Sequence, residues 1–190
     1  MREFSNVKVM MGEKKEILAL YNLLKADGIM VDIYCFDQVA ELRVLPQDYV
    51  KALEMGTRRA FQNRFKAVAW VAPDGEIRYR FADTVVKTYN IQKQGLMPAF
   101  SGSSAIEAGR VATYIQSAGI DVVKSVSSVG TYQVEVKPED YMKAVNLGAI
   151  YANGHHLTSV FWNDPTGAPE FNMATVAQIA SNEVVEVQEA

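Results

Sequence analysis

The segment Pro46–Gly75, PQDYVKALEMGTRRAFQNRFKAVAWVAPDG, returns 92 positions later as Pro138–Gly167, PEDYMKAVNLGAIYANGHHLTSVFWNDPTG. Eleven of the thirty aligned positions are identical, where ordinary composition gives roughly two. A chain built this way folds as two like units, and 190 residues leave each the length of a small domain. The shared residues include Pro46/Pro138, Tyr49/Tyr141, Gly56/Gly148, Trp70/Trp162 and Gly75/Gly167.

Both copies read as the same succession of elements. In the first, Asn6–Met11 alternates as a strand, and a helix from about Glu13 to Ala26 places Ile17, Leu20, Tyr21 and Leu24 at helical spacing. Gly28 stands where a helix turns left-handed to end, and Gly119 repeats it. Ile29–Phe36 and Val39–Leu45, rich in β-branched and aromatic residues, predict two strands joined at Asp37-Gln38. Pro46 opens a second helix where its missing N–H costs nothing, with Asp48 complementing the helix dipole. Tyr49, Leu53, Gly56 and Ala60 share one face of that helix, as do Tyr141, Val145, Gly148 and Ala152, so this is the buried face. A mid-helix glycine costs about 1 kcal/mol against alanine, and finding it in both copies points to close helix-to-sheet approach.

Asp74-Gly75 is a two-residue turn signal that sets Trp70 opposite Tyr79 and Val68 opposite Phe81. By the same rule Thr166-Gly167 sets Trp162 opposite Phe171 and Val160 opposite Met173. In the second copy the first strand is interrupted by Pro98 and Gly102, and the first helix spans Ser104 to Ala118 with Val111 and Ile115 inward.

Strand, helix, strand, strand, helix, strand is the ferredoxin-like βαββαβ plan. We therefore expect an α+β chain, a tandem duplication of a ferredoxin-like unit, each extended by one β-strand hairpinned to the fourth. The sheet order is then extra, fourth, first, third, second, with both helices on one face and the other face open. Residues 1–85 make the first repeat, 86–95 a polar linker, 96–178 the second repeat and 179–190 an acidic tail.

The formal net charge of −3 conceals a division: residues 1–93 carry 15 Lys and Arg against 12 Asp and Glu, and residues 94–190 carry 4 against 10. A basic first repeat points to an anionic partner, or to attraction between the two units. No apolar run approaches the roughly twenty residues that span a bilayer. With the single cysteine, Cys35, and no signal-peptide pattern at the N-terminus, this predicts a cytoplasmic protein without membrane insertion.

On the face expected to be open, the first repeat offers Arg78 and Arg80 on the extra strand, Lys8 on the first and Glu41 and Arg43 on the third. Tyr34 and Phe36 stand on the second strand, and Ala67, Ala69 and Val71 lie between. Arg58, Arg59, Arg64 and Lys66 add charge around the end of the second helix. Cations that track phosphates beside rings that stack bases are what a single-strand binder needs. The second repeat has Glu170 and Asn172 in place of Arg78 and Arg80, and Ala149 and Ile150 in place of Thr57 and Arg58. The expectation is a non-enzymatic protein that binds RNA or single-stranded DNA through its first repeat.

The same residues admit other readings. Alternating arginines also protect an edge strand from pairing, and Tyr34 and Phe36 could pack sheet to sheet against the second repeat. That alternative is an interaction or assembly module, as a homo-oligomer or with a protein partner. A third is a small-ligand-sensing pair of domains with the ligand between the repeats. RNA-recognition-motif domains share the plan, but Ala99–Gly102 (AFSG) and Gly130–Val136 (GTYQVEV) match their motifs at few positions and the first repeat matches neither. Fold alone does not assign function.

No catalytic, cofactor or metal set stands out. His155-His156, adjacent on a strand, would point to opposite faces, with no carboxylate or cysteine at metal-ligand spacing. Ser101–Ser104 before a helix could hold an anion, but Ser104 with Glu107 is a capping box. Cys35 shares the parity of Val31 and Ile33 and reads as a small buried filler.

Overall fold

A computed structural model describes residues 6–73, 77–78, 95–163, 165 and 169–170. The first half contains β1 (Val7–Glu13), α1 (Lys14–Ala26), β2 (Val31–Cys35), β3 (Val39–Val44), α2 (Tyr49–Gln62), β4 (Val68–Val71) and the short β5 (Ile77–Arg78). The second repeats that order as β6 (Met97–Gly102), α3 (Ala105–Ser117), β7 (Val123–Val126), β8 (Tyr132–Val136), α4 (Tyr141–Gly154), β9 (Val160–Asn163) and β10 (Pro169–Glu170). Each half forms one antiparallel sheet, ordered β2-β3-β1-β4-β5 and β7-β8-β6-β9-β10. The chain is thus an α+β fold with repeated halves. Positions 86–94 of the expected linker and the whole expected tail lie outside the described residues.

Local chemistry accounts for the helices. Ile17, Leu20 and Leu24 bury one stripe of α1, and Val111 and Ile115 do so on α3. Gly28 and Gly119 end these helices at φ 85° and 88°, a conformation that costs an L side chain about 1–2 kcal/mol. Pro46 and Pro138 each open a 3-10 turn, Pro46–Asp48 and Pro138–Asp140, that leads into the α-helix at Tyr49 and Tyr141. The mid-helix glycines do mark close approach. A Cβ on Gly56 would lie 2.8 Å from the tip of Met10, and one on Gly148 would lie 2.3 Å from the Phe100 ring.

Pro98 lies within β6 and does not interrupt it. The pairing of β6 with β8 shifts register between Pro98 and Phe100, as that of β1 with β3 does between Lys8 and Met10. A bulge releases a residue from the ladder, which is where a sheet tolerates proline.

Met10 pairs with Trp70 as Phe100 does with Trp162, so the repeat extends well upstream of Pro46. The second half carries one more residue at the β6–α3 junction and one more in its β7–β8 hairpin. There Gly130 at φ 81° closes a longer loop, whereas Phe36 and Val39 bracket a two-residue turn.

The halves meet through equivalent parts. The two 3-10 turns pack on each other, α2 rests on the second turn and α4 on the first. At the centre the Tyr49 and Tyr141 rings stack with centroids 6.2 Å apart and planes 15° from parallel. Each phenol reaches back to its own sheet, Tyr49 donating to Val71 O at 2.7 Å and Tyr141 to Asn163 O at 2.6 Å. One hydrophobic cluster runs through both halves. Tyr34 and Phe36 take no part in this contact: they are 43% and 53% exposed.

Two expectations fail here. The hairpins are one residue out of the predicted register: Trp70 faces Arg78 and Val71 faces Ile77, while Trp162 faces Glu170. The connection from Val71 to Ile77 is longer than a two-residue turn allows, and a one-residue slip exchanges the faces of every following residue. Tyr79, Phe81, Phe171 and Met173 lie outside the described residues.

The face away from the helices is not open at its centre either. Glu41, Ala69 and Val71 in the first sheet, and Ser101, Phe161 and Asn163 in the second, are buried. All four residues of β4 and of β9 are buried. A near-continuous apolar run such as Val68–Ala72 is the mark of a strand covered on both faces.

Candidate nucleic-acid interface

Pairing brings three connections to one end of the first sheet. Glu13 faces Val39 and Gly12 faces Val68, so β1 ends where β3 and β4 begin. Backbone bonds close the corner: Glu13 N–H donates to Ala67 O at 2.9 Å and Lys14 N–H to Gln38 O at 3.0 Å. The Glu16 carboxylate, in the first turn of α1, accepts the backbone N–H of Lys66 at 3.1 Å and of Ala67 at 2.8 Å. The start of α1, the β2–β3 hairpin and the α2–β4 connection are thereby tied together.

Their cations gather as a result. Lys14, Lys15, Arg64 and Lys66 are all exposed, and none is ion-paired to a described carboxylate. Phe36, in the hairpin at the same end, is 53% exposed. Lys14 and Lys15 escaped the sequence reading, although two lysines in the first turn of a helix oppose its dipole. Arg64 takes a left-handed conformation, φ 56°, in a helix-ending turn where Phe65 N–H returns to Ala60 O at 2.9 Å. His156 has φ 52° in the matching turn, so the conformation belongs to the fold and not to the cation.

Further along the sheet, Lys8, Tyr34, Glu41 and Arg43 form one cluster. Glu41 is 1% exposed, and a buried carboxylate is tolerable only when paired. It accepts from Arg43 Nη2 at 2.6 Å and Nε at 2.8 Å, and lies 3.5 Å from Lys8 Nζ. Held this way, the Arg43 guanidinium sits 4.5 Å over the Tyr34 ring. Asp32 pairs with Arg43 across β2 and β3 on the face of Tyr34, so two cations and two carboxylates stand beside an accessible aromatic edge.

The other expected residues are used differently. Arg59 grips Asp27, at the end of α1, through Nε at 3.0 Å and Nη2 at 2.6 Å. That hydrogen bond holds the Asp27 carboxyl below its ordinary value and raises Arg59. Arg58 bonds to Glu54 one turn earlier in α2. Both arginines are engaged in the fold. Position 78 pairs with Trp70 along the backbone, and Arg80 lies outside the described residues.

The second half keeps the corner and drops its charge. Glu107 there takes the place of Glu16, accepting the hydroxyl of Ser159 and its N–H at 2.8 Å. The Ser159 hydroxyl bond holds the Glu107 carboxyl below its ordinary value. Ala105, Ile106, His156 and Thr158 occupy the places of Lys14, Lys15, Arg64 and Lys66. Ser104 caps α3, its Oγ accepting from Glu107 N–H at 3.3 Å, but the Glu107 side chain bonds to Ser159, so only half of the expected capping box forms.

Two smaller expectations are corrected. His155 and His156 lie in the turn after α4, not on a strand; the His155 ring stacks 4.0 Å from Tyr151. Cys35 is exposed, because it ends an edge strand beyond the cover of α1. Among the described residues no helix is long and apolar enough to cross a membrane. The sequence matches no known protein family and no characterised protein.

Proposed function

We propose that the chain is a tandem duplication of a ferredoxin-like unit whose first repeat binds RNA or single-stranded DNA without catalysis. One observation carries this reading: Lys14, Lys15, Arg64 and Lys66 converge on the sheet end that holds Phe36, and the matching corner of the second repeat has no Lys or Arg at those four places. The second repeat closes the matching corner through Glu107 without cations at those places, which supports a role for them beyond the fold. The strand would run from this rim across Phe36 and Tyr34 towards Arg43 and Lys8, its phosphates on the cations and its bases on the rings. Each stacked base contributes about 1–3 kcal/mol.

Fluorescence anisotropy with a labelled uridine 20-mer, at two salt concentrations, tests it. Wild type binds at micromolar protein in low salt. Lys14→Glu with Lys66→Glu lowers affinity at least about tenfold and flattens the salt dependence by about 0.7 per lost phosphate contact. Phe36→Ala weakens binding about tenfold with the salt slope unchanged, because stacking releases no counterions. Absence of binding, or binding indifferent to salt, overturns the proposal.

A further inference from the structure

We infer that the second repeat carries a separate site for a small planar anion, a ring bearing a phosphate or carboxylate, in the groove over α3. Residues 94–190 hold only four Lys and Arg, and two of them, Arg110 and Lys124, line this one groove of about 540 Å³ with Tyr114 and Tyr151. The groove is shallow and open to solvent. Arg110 is aimed by its neighbours: its Nε donates to the Tyr151 hydroxyl at 3.1 Å, and its guanidinium carbon is 5.7 Å from that ring's centroid. Tyr151 is in turn braced between Tyr114, with centroids 4.8 Å apart, and His155, at 4.0 Å. The guanidinium keeps its Nη donors for a phosphate or carboxylate, and Tyr114, which lines the groove, offers a ring beside it.

Gly109 lines the same groove from within α3, and a Cβ there would meet nothing within 4 Å. Gly56 and Gly148 are required by the sheet beneath them; Gly109 is not. A glycine that weakens a helix without a packing reason leaves the groove floor open. The first repeat has no equivalent: Ala19, Leu23 and Arg59 stand where Arg110, Tyr114 and Tyr151 do, and Arg59 is committed to Asp27.

Isothermal titration with adenosine monophosphate, 4-hydroxybenzoate, adenosine and inorganic phosphate tests the site on the full chain. At least one of the two ring anions binds, and adenosine and phosphate each bind at least about tenfold more weakly. Arg110→Gln, which removes a charge-assisted hydrogen bond, lowers that affinity by about 10–100-fold. Gly109→Leu abolishes binding while raising the thermal midpoint, a combination that a damaged fold does not produce. Lys14→Glu with Lys66→Glu leaves the affinity unchanged, which separates this site from the first-repeat surface. The inference is overturned if neither ring anion binds at about 10 mM, if phosphate alone binds as tightly, or if Gly109→Leu retains wild-type affinity.

Discussion

Asp27 and Arg59 join the ends of two helices by an ion pair in the first half, and at the same place the second half has Ala118 and Tyr151, with Tyr151 stacked between Tyr114 and His155. Tyr49 and Tyr141, by contrast, make the same bond to the same strand position in both halves. Positions that close the sheet or join the halves have been kept, because each satisfies a buried backbone group or fills a space shaped by the partner half. Positions on the outer helix surfaces have diverged, because any partner that satisfies them locally is tolerated. Function is therefore sought where the halves differ, and stability where they agree.

The widest break in that agreement is expected at the mid-helix glycines. Gly148→Ala drives a methyl against the stiff Phe100 ring, at 2.3 Å, and costs about 2–3 kcal/mol. Gly56→Ala meets only the flexible tip of Met10, at 2.8 Å, and the helix gains about 1 kcal/mol, so the net change stays within about 1 kcal/mol. Urea denaturation of both variants reads the difference directly; equal costs would show that the two helices sit on their sheets in the same way after all.

Removing the phenol hydroxyls should instead show the halves behaving alike. Tyr49→Phe and Tyr141→Phe each leave a buried carbonyl without its donor and cost about 1–2 kcal/mol, matched to within about 0.5 kcal/mol. A marked inequality would mean that one half bears more of the interface. The smallest effect is a gain: Arg64→Gly and His156→Gly relieve left-handed backbone at equivalent turns and raise stability by up to about 1 kcal/mol each. Only Arg64→Gly is expected to weaken nucleic-acid binding, which sharpens the contrast between a shared turn and an unshared charge.

Much of the frame was legible in the chain. Gly28, Gly56, Gly119 and Gly148 announced two helix ends and two close approaches, because a glycine's reason is local or concerns one neighbour. Residue-by-residue identity was legible only from Pro46 onward, since one extra residue in each of two upstream loops of the second half breaks the match; upstream, the like order of elements and the pair Gly28 and Gly119 marked the repeat. The candidate site was half legible. Lys8, Tyr34, Phe36, Arg43, Arg64 and Lys66 were marked by residue type, but Lys14 and Lys15 join them only through strand pairing. Arg58 and Arg59 are paired to Glu54 and Asp27, as Arg43 and Lys8 are to Glu41.

The sequence by itself determined the order of elements, the ends of the helices and which helix face is buried. These follow from periodicity and from backbone preferences that act over a few residues. Only the tertiary structure decided the hairpin register, the burial of Glu41 and Val71, and the meeting of Lys14, Lys15, Arg64 and Lys66 beside Phe36. Each of those depends on closing the chain across tens of residues, where a one-residue difference in a loop changes which side chains face one another and which charges find a partner.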